Sequence, residues 1–126
     1  MAVGLRVSNV NEDKEPTRYF SKKQETKVAK TLDGRVQANS GATDFKKGDV
    51  VIPKLMLLEC KTKTSHSESI SVKKEWITKN KQESLFMGLP YQSVCFSFGP
   101  DEPNYFIIDE YMMSEFIQYL KEKHNI

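Results

Sequence analysis

An apolar hairpin near the middle of the chain constrains the fold more than any other feature. Residues 49–62 read DVVIPKLMLLECKT, two apolar runs joined at Pro53-Lys54. A turn there makes the runs antiparallel and pairs residues whose numbers sum to about 108. Apolar side chains then lie on both faces, since one face takes Val51, Leu55 and Leu57 and the other takes Val50, Ile52, Met56 and Leu58. We therefore expect a hairpin inside a sheet, covered on both sides.

Charged residues lie at the open end of the hairpin, where the first run begins and the second run ends. The same register places Asp49 opposite Glu59, with Cβ atoms about 5 Å apart. Alternation along the second strand puts Glu59 and Lys61 on one face and Cys60 on the other. Two carboxylates this close are unfavourable unless a cation or a proton neutralises them. The pattern therefore predicts a site for a hard divalent metal.

Size and composition indicate one ordinary folded domain. The chain has 126 residues, of which 38% are hydrophobic and 29% charged. No apolar run approaches the roughly 20 residues that cross a bilayer, and the first residues do not resemble a signal peptide. We expect no membrane contact, a cytoplasmic location, and buried, reduced thiols at Cys60 and Cys95. Two cysteines and two distant histidines lack the spacing of a zinc site.

The net charge of +2 hides an asymmetry along the chain. Residues 1–81 hold 17 Lys and Arg against 10 Asp and Glu, a net charge of +7, whereas residues 82–126 hold 2 against 7, a net charge of −5. The acids of the hairpin lie in the basic part. A charge run is usually a solvated face, but here it surrounds a predicted metal site, which favours a phosphodiester substrate.

The segment before the hairpin is predicted to contain an arm and a helix. Residues 1–18 lack periodicity and are interpreted as a flexible arm, either disordered or adding a strand to a partner subunit. Ser21 and Gln24 fit a capping box for a helix from about 22 to 33, with Gly34 just beyond its end. Glu25 projects from the stripe of Val28, Ala29 and Leu32. A salt bridge to a lysine is the alternative explanation for this inward glutamate.

The remaining elements complete an α/β pattern. Strands are predicted at 35–39, 49–53, 55–62, 91–98 and 105–109, with a small-residue loop at 40–48. A second helix is predicted from about 72 to 87, capped by Ser69 or Ser71 and closed by Gly88, and a third at about 110–123. The predicted buried side chains are Val72, Trp76, Leu85 and Phe86 in the second helix and Phe116, Ile117 and Leu120 in the third. The order α-β-β-β-α-β-β-α describes helices around a mixed central β-sheet.

The placement of the charged residues resembles a known enzyme family. Glu25 on a first helix, then Gly48-Asp49, then Glu59-Cys60-Lys61 resembles the PD-(D/E)xK nuclease superfamily in order, element type and spacing, with Gly48 in place of the proline. The small size, the Ser40-Gly41 loop and the lysine-rich helix after the second acidic strand are similar to archaeal and phage Holliday junction resolvases. The resemblance covers about residues 21–88. It implies a restriction-endonuclease-like core over residues 19–126.

The resemblance also implies chemical roles. Asp49 and Glu59, with the Cys60 backbone carbonyl, would hold Mg²⁺ or Mn²⁺. Glu25 would hold a second ion or orient a metal-bound water. Lys61 would hydrogen-bond the attacking water or a phosphate oxygen. Gln82 would lie near the site from the second helix. The sequence leaves open whether Lys61 acts as a base or as an electrostatic stabiliser.

The implied substrate is branched DNA, a four-way junction, cut in a cytoplasm that is bacterial, archaeal or, for a phage protein, the host's. Predicted DNA contacts are Lys22, Lys23, Ser40, Lys46, Lys47, Lys63, Lys73 and Lys74, reading shape through phosphates. Two symmetric cuts imply a homodimer, for which Tyr91, Phe96, Met112 and Met113 are candidate surface residues. The alternatives are a restriction, repair or transposition nuclease on linear, flap or single-stranded DNA, and a noncatalytic DNA-binding subunit. His66, in a polar loop, is expected to be a surface residue.

Overall fold

The apolar hairpin lies inside a five-stranded mixed sheet in the computed structural model, which describes residues 18–37 and 49–126. The strands are β1 (Arg35–Val36), β2 (Val50–Ile52), β3 (Met56–Thr62), β4 (Tyr91–Ser97) and β5 (Tyr105–Ile107). Helix α1 covers 18–31, and α2 (Lys74–Phe86) and α3 (Glu110–His124) follow later in the chain. This element order, and with it the α/β class, is as predicted.

The strands lie in the sheet in the order in which they occur in the chain. All neighbouring pairs are antiparallel except β3 and β4, which are parallel. Val50 pairs with Leu58, Val51 with Leu57 and Ile52 with Met56, so the predicted register of the hairpin is confirmed. Lys54 supplies the left-handed residue of the turn, with φ of 64°. Parallel neighbours need a crossover, and α2 provides it between β3 and β4.

Successive residues of β3 bury their side chains on opposite faces of the sheet. Leu58 and Cys60 pack with Cys95 and with the α1 residues Val28 and Ala29. On the other face, Leu57 packs with Val51, Leu89 and Met87, which lie beside or just after α2. Leu57 and Leu58 are both fully buried. Helices α1 and α2 therefore cover opposite faces, as the apolar pattern on both sides of the hairpin predicted.

The ends of α1 differ from the prediction. The helix already includes residue 18, so Ser21 lies within it and does not cap it. Asp33, with φ of 56°, is the left-handed residue after the helix. Gly34 is instead required by close approach, because a Cβ there would lie 2.9 Å from the Val51 carbonyl oxygen. The glycine lets the end of α1 lie directly against β2.

Helix α2 buries polar side chains in place of the predicted apolar stripe. Its buried residues are Asn80 and Ser84, whereas Val72, Leu85 and Phe86 are exposed, so that part of the prediction is wrong. The Asn80 amide Nδ2 donates to the backbone oxygens of Leu57 and Ser93, at 3.4 and 3.0 Å. The sheet thus offers carbonyl partners to α2. Lys73 is the N-cap and makes no side-chain cap bond, so neither Ser69 nor Ser71 has the predicted role.

Helix α3 also buries a different residue from those predicted. Asp109 caps it by accepting from the Met112 N–H at 2.8 Å, and Met112 is its buried residue. Phe116 and Ile117 are exposed, contrary to the prediction, and Leu120 is half-buried. The Tyr91 hydroxyl donates to the Glu115 carboxylate and ties α3 to β4.

The candidate dimer surface changes accordingly. Of its four predicted residues, Met112 is buried and Tyr91 and Phe96 are half-buried within contacts of their own, which leaves Met113 exposed. The exposed apolar side chains of α3 are Tyr111, Met113, Phe116, Ile117 and Tyr119. No helix in the described ranges has both the length and the apolar character needed to cross a membrane.

Candidate active site

Asp49 stands one residue before the paired part of β2 and turns its carboxylate onto β3. Its N–H donates to the Leu58 oxygen at 2.9 Å, and its own oxygen accepts from the Gln37 N–H at 2.9 Å. Its carboxylate Oδ2 accepts from the Cys60 backbone N–H at 2.7 Å. The residue is only 8% exposed. In a longer β2, a backbone carbonyl oxygen would accept from the Cys60 N–H. Here the Asp49 carboxylate is the acceptor.

This geometry modifies the predicted relation between Asp49 and Glu59. The registered pairs end at Val50 and Leu58, so Asp49 and Glu59 do not continue the ladder as a matched pair. Instead, the Asp49 side chain reaches the Glu59-Cys60 peptide directly. A strand residue directs its N–H and C=O to the same side, so the Cys60 carbonyl lies along the edge of β3 that Asp49 approaches. Asp49, Glu59 and the Cys60 backbone are therefore neighbours.

Glu59 and Lys61 project together on the α2 face of the sheet. The Lys61 Nζ lies 3.3 Å from the Glu59 carboxylate, and both side chains are largely buried. The same Nζ lies 4.9 Å from the centroid of the Trp76 ring, at the start of α2. A cation over an indole ring is attracted by the ring quadrupole. Trp76, which was expected in the core, is half-buried and fixes the position of the Lys61 ammonium.

Glu25 lies on α1, close enough to β3 for its charge to act on the Cys60 thiol. The Cys95 thiol next to it, burial, and then the negative charges of Asp49 and Glu25 raise the pKa of the Cys60 thiol far above its ordinary value. Both carboxylates are therefore close enough to act on one side chain. Glu25 is half-buried, and it arrives from the face opposite to Glu59 and Lys61. Cys60 and Cys95 are free and buried, as predicted.

Gln24 is a residue of the site that the sequence analysis assigned to another role. It is buried, and its Nε2 donates to the Lys61 backbone oxygen at 2.8 Å and to the Asn104 Oδ1 at 3.1 Å. Its Oε1 is buried and has no hydrogen-bond partner among the described residues. The capping-box prediction for Gln24 is wrong because the side chain points to the sheet. The signal was its place four residues before Val28, on the inward stripe of α1.

The donor set suits a hard cation, and the protein supplies only part of a coordination shell. Within residues 18–37 and 49–126, no group of three or more His, Cys, Asp and Glu side chains is arranged to hold a metal. Asp49 nevertheless bonds the Cys60 N–H, so its carboxylate, the Cys60 carbonyl and the Glu59 side chain are oxygen donors on adjacent residues of the β2–β3 edge. Mg²⁺ is commonly bound by one or two carboxylates, with waters and substrate phosphates completing its shell. The residues present fit that mode of binding.

The predicted DNA contacts fall into three groups: one is ion-paired, three lie outside the described residues and four are exposed lysines. Lys23 forms an ion pair with Asp101 at 2.7 Å, and their hydrogen bond raises the Lys23 pKa and lowers the Asp101 pKa. Ser40, Lys46 and Lys47 lie outside the described residues, as does most of the predicted arm. The remaining predicted contacts are Lys22, Lys63, Lys73 and Lys74, which are exposed and accessible to a polyanion.

Two further side chains lie away from the chemistry. Gln82 is exposed on α2, about 9 Å further along the helix axis than Trp76. Its side chain makes no hydrogen bond to the described part of the chain, and the buried positions of α2 are Asn80 and Ser84. His66 is exposed, and its Nδ1 lies 2.5 Å from the Glu102 carboxylate, so it is a surface residue as predicted.

Comparison of the chain with protein-family models, with curated proteins and with solved structures finds no match.

Proposed function

We propose that the protein is a metal-dependent endodeoxyribonuclease with a restriction-endonuclease-like core, which cleaves phosphodiester bonds in branched DNA. The observation that carries the proposal is that the Asp49 carboxylate is bonded to the Cys60 N–H, between the two residues of β3, Glu59 and Lys61, that form an ion pair. Two acids and one ammonium at a strand edge form a site for a cation and a phosphate together. The helix that directly follows the strand with Glu59 and Lys61 is part of the proposed core, and here α2 connects that strand to the parallel β4. The same connection places Trp76 beside Lys61.

In the proposed reaction, each side chain has a defined task. A bound Mg²⁺ or Mn²⁺ would supply activation of water and neutralisation of charge on the phosphate. Asp49 and Glu59 would hold it through their oxygens, aided by the Cys60 carbonyl. Asp49 is held in place by the Cys60 N–H, and the hydrogen bond from Gln24 to Lys61 steadies the following residue of β3. Glu25 would orient the attacking water or add a second ligand from α1.

Lys61 would act on the phosphate as a positioned ammonium. Its Nζ is shared between the Glu59 carboxylate and the Trp76 ring. A compact ammonium on a flexible stem can shift by a fraction of its length to meet a phosphate oxygen or the attacking water. An ion held by Glu59 would leave the carboxylate less negative charge to offer Lys61. The Lys61 ammonium would then be available to the substrate.

The choice of a four-way junction rests on charge and on symmetry. Lysines outnumber acids in the first 81 residues, where the site lies, and phosphate contacts position a protein on DNA without reading its sequence. One protomer carries one such site, and two symmetric cuts require two. We therefore propose a homodimer, with the exposed apolar side chains of α3 as its candidate surface.

The proposal is tested by cleavage of labelled DNA in Mg²⁺ and in EDTA. The substrates are a four-way junction, a linear duplex and a flap of the same flanking sequence. Paired symmetric nicks confined to the junction are expected. Cutting of linear or flap DNA would instead assign a restriction, repair or transposition nuclease. Binding without any cutting would assign a noncatalytic DNA-binding subunit.

Substitutions assign the roles within the site. Asp49→Asn keeps an oxygen that can accept from the Cys60 N–H, and Glu59→Gln keeps its volume, so both should abolish cleavage and retain junction binding. Glu68→Gln, an exposed acid in the following loop, is the matched control. Lys61→Met should lower turnover, whereas Lys63→Met should weaken binding and its salt dependence. Unimpaired turnover in Asp49→Asn or Glu59→Gln would remove that residue from the site.

A further inference from the structure

Three aromatic rings form a contiguous cluster on β4, β5 and the residue after β4. Phe96 and Tyr105 are stacked with their centroids 5.7 Å apart and an interplanar angle of 28°. Phe98 packs edge-on against both, at 5.5 Å from Phe96 and 5.8 Å from Tyr105. We name Phe96, Phe98 and Tyr105 the aromatic platform. Such offset and edge-to-face contacts hold rings in fixed orientations.

The aromatic platform lies on the same face of the sheet as the catalytic candidates. Lys61 pairs with Phe96 across β3 and β4, and Phe96 pairs with Tyr105 across β4 and β5. Directly paired residues project to the same face. Adjacent strands are about 4.8 Å apart, so the backbone of Tyr105 is about 10 Å from that of Lys61. The rings therefore continue the surface that starts with Glu59 and Lys61.

The aromatic platform is exposed enough to contact a ligand. Tyr105 is 48% exposed, and Phe96 and Phe98 are half-buried, so ring surface faces outward beside the site. The near-parallel rings of Phe96 and Tyr105, with Phe98 packed edge-on against them, form an apolar aromatic surface beside a cation. Flat apolar rings joined to a polyanionic backbone are the chemistry of an unpaired nucleic acid strand.

The charges near the platform favour that strand over an apolar protein surface. Lys61 shares the face of the platform, and the exposed Lys63, Lys73 and Lys74 follow it in the segment after β3 and at the start of α2. Two acids follow Phe98 in the chain, but Asp101 is paired with Lys23 and Glu102 with His66. Glu75 is the acid in the first turn of α2. Lys63, Lys73 and Lys74 are exposed, so a polyanionic backbone beside the platform would be attracted to them.

We propose that the aromatic platform stacks on unpaired bases next to the phosphate that is cut. The inference rests on the proposed function, because it assumes a phosphate at Asp49, Glu59 and Lys61. Bases inside a duplex are already stacked on each other, so aromatic side chains stack mainly on unpaired or splayed bases. The preferred substrate is then DNA with single-stranded or opened nucleotides at the branch, and a fully paired arm binds through phosphates alone.

The test is a binding titration in EDTA, where no cleavage occurs. The probes are a labelled single-stranded oligonucleotide, the same oligonucleotide with abasic sites in its central positions, and the paired duplex. Tyr105→Ala should weaken binding of the intact single strand by roughly 5- to 150-fold, the equivalent of one stacked base. It should leave binding of the abasic strand and of the duplex within about twofold. Phe106→Ala, at an exposed ring of β5 that projects to the opposite face of the sheet, is the matched control and should change none of the three.

A second variant protects the test against loss of folding. Phe98→Leu keeps an apolar side chain and removes a ring, and it should weaken the intact strand selectively, as Tyr105→Ala does. Equal weakening of all three probes by both variants would overturn the inference. So would a dimer that dissociates on Tyr105→Ala, because a second copy of the chain would then be the occupant.

The inference and the proposed function fail separately. If both variants weaken single-strand binding selectively but the protein cuts no DNA, base stacking on the platform is supported and the proposed nuclease activity is refuted. Junction cleavage with binding that is indifferent to Tyr105 and Phe98 would do the reverse.

Discussion

The two faces of the sheet differ in what they bury. The α1 face is closed mainly by apolar side chains and thiols, among them Val28, Leu58 and Cys95, beside the buried amide of Gln24. The α2 face has a smaller apolar cluster around Leu57 and buries the polar side chains of Asn80 and Ser84. Further along β3, the α2 face carries Glu59 and Lys61. One face is therefore built mainly for stability, and the other combines stability with the proposed chemistry.

Alternation along β3 explains how one strand serves both faces. Cys60 is anchored in the α1-face core, and its neighbours Glu59 and Lys61 must then point to the other face. The Cys60 N–H also holds the Asp49 carboxylate. The core residue Cys60 thus fixes the positions of the charged side chains around it. A charged site is rigid here because the residue at its centre belongs to the apolar core.

The largest expected effect comes from opening a cavity on the α1 face. Leu58→Ala should lower the free energy of unfolding by about 2–5 kcal/mol, since a fully buried leucine is lost from the larger cluster. Leu57→Ala, its neighbour on the other face, should cost less, because fewer buried apolar residues surround it. Urea unfolding measures both. An equal or larger loss for Leu57→Ala would refute the distinction between the faces.

A smaller loss is expected from the polar contact on the α2 face. Asn80→Ala should cost about 1–3 kcal/mol, because the backbone oxygens of Leu57 and Ser93 lose a buried donor. Lys79→Ala, at an exposed position of the same helix, is the control. Urea unfolding of both variants is the measurement. A neutral Asn80→Ala would mean that α2 is held by its apolar contacts alone.

The ion pair of the site should matter little to stability. Glu59→Gln should change the free energy of unfolding by less than about 1 kcal/mol, because the pair keeps partial contact with water and glutamine keeps the volume and an oxygen that can accept from Lys61. The same variant should lose cleavage, which separates function from folding. Thermal unfolding followed by circular dichroism checks the first part. A large destabilisation would make Glu59 a structural residue of the α2 face.

The smallest expected effect is a pH dependence of the stability that Tyr91 contributes, away from the apolar clusters of both faces. Hydrogen bonding to Glu115, then burial and the Glu115 charge, raise the pKa of Tyr91 to about 12. The ordinary value is about 10, so the neutral hydroxyl favours the folded state below that pH. This contribution is lost as the pH rises from about 10 through about 12. The phenolate absorbance of the protein minus that of Tyr91→Phe should titrate near 12. Titration of Tyr91 near 10 would show that the Glu115 contact does not form in solution.

How far sequence reasoning reached differs between the hairpin and the helices. The register of β2 and β3, the turn at Lys54 and the two apolar faces followed from alternation and one turn signal. The inward stripe of α1 was also correct at Val28 and Ala29. The buried faces of α2 and α3 were not, since Leu85, Phe86 and Phe116 are exposed. A helix buries the side that its neighbour can accept, and the sequence does not name that neighbour.

The candidate site divides along the same line. Its residues on β3 were predictable because Glu59, Cys60 and Lys61 alternate on a strand of known register. The bend that carries the Asp49 carboxylate to the Cys60 N–H was not, because the ladder stops at Val50 and the side chain takes over the pairing. The contacts of Gln24 with Lys61 and of Trp76 with Lys61 join residues far apart in the chain. They form only when α1 and α2 are packed on the sheet.

The sequence by itself determined the order of elements, the hairpin register and the side of β3 on which the charged residues project. These are local properties, fixed by side-chain periodicity and by turn chemistry. Tertiary structure alone decided that Asn80, Ser84 and Gln24 are buried and that apolar residues of α2 and α3 are exposed. The physical reason is that a polar side chain can be buried wherever the fold supplies a hydrogen-bond partner, and that partner comes from a distant strand.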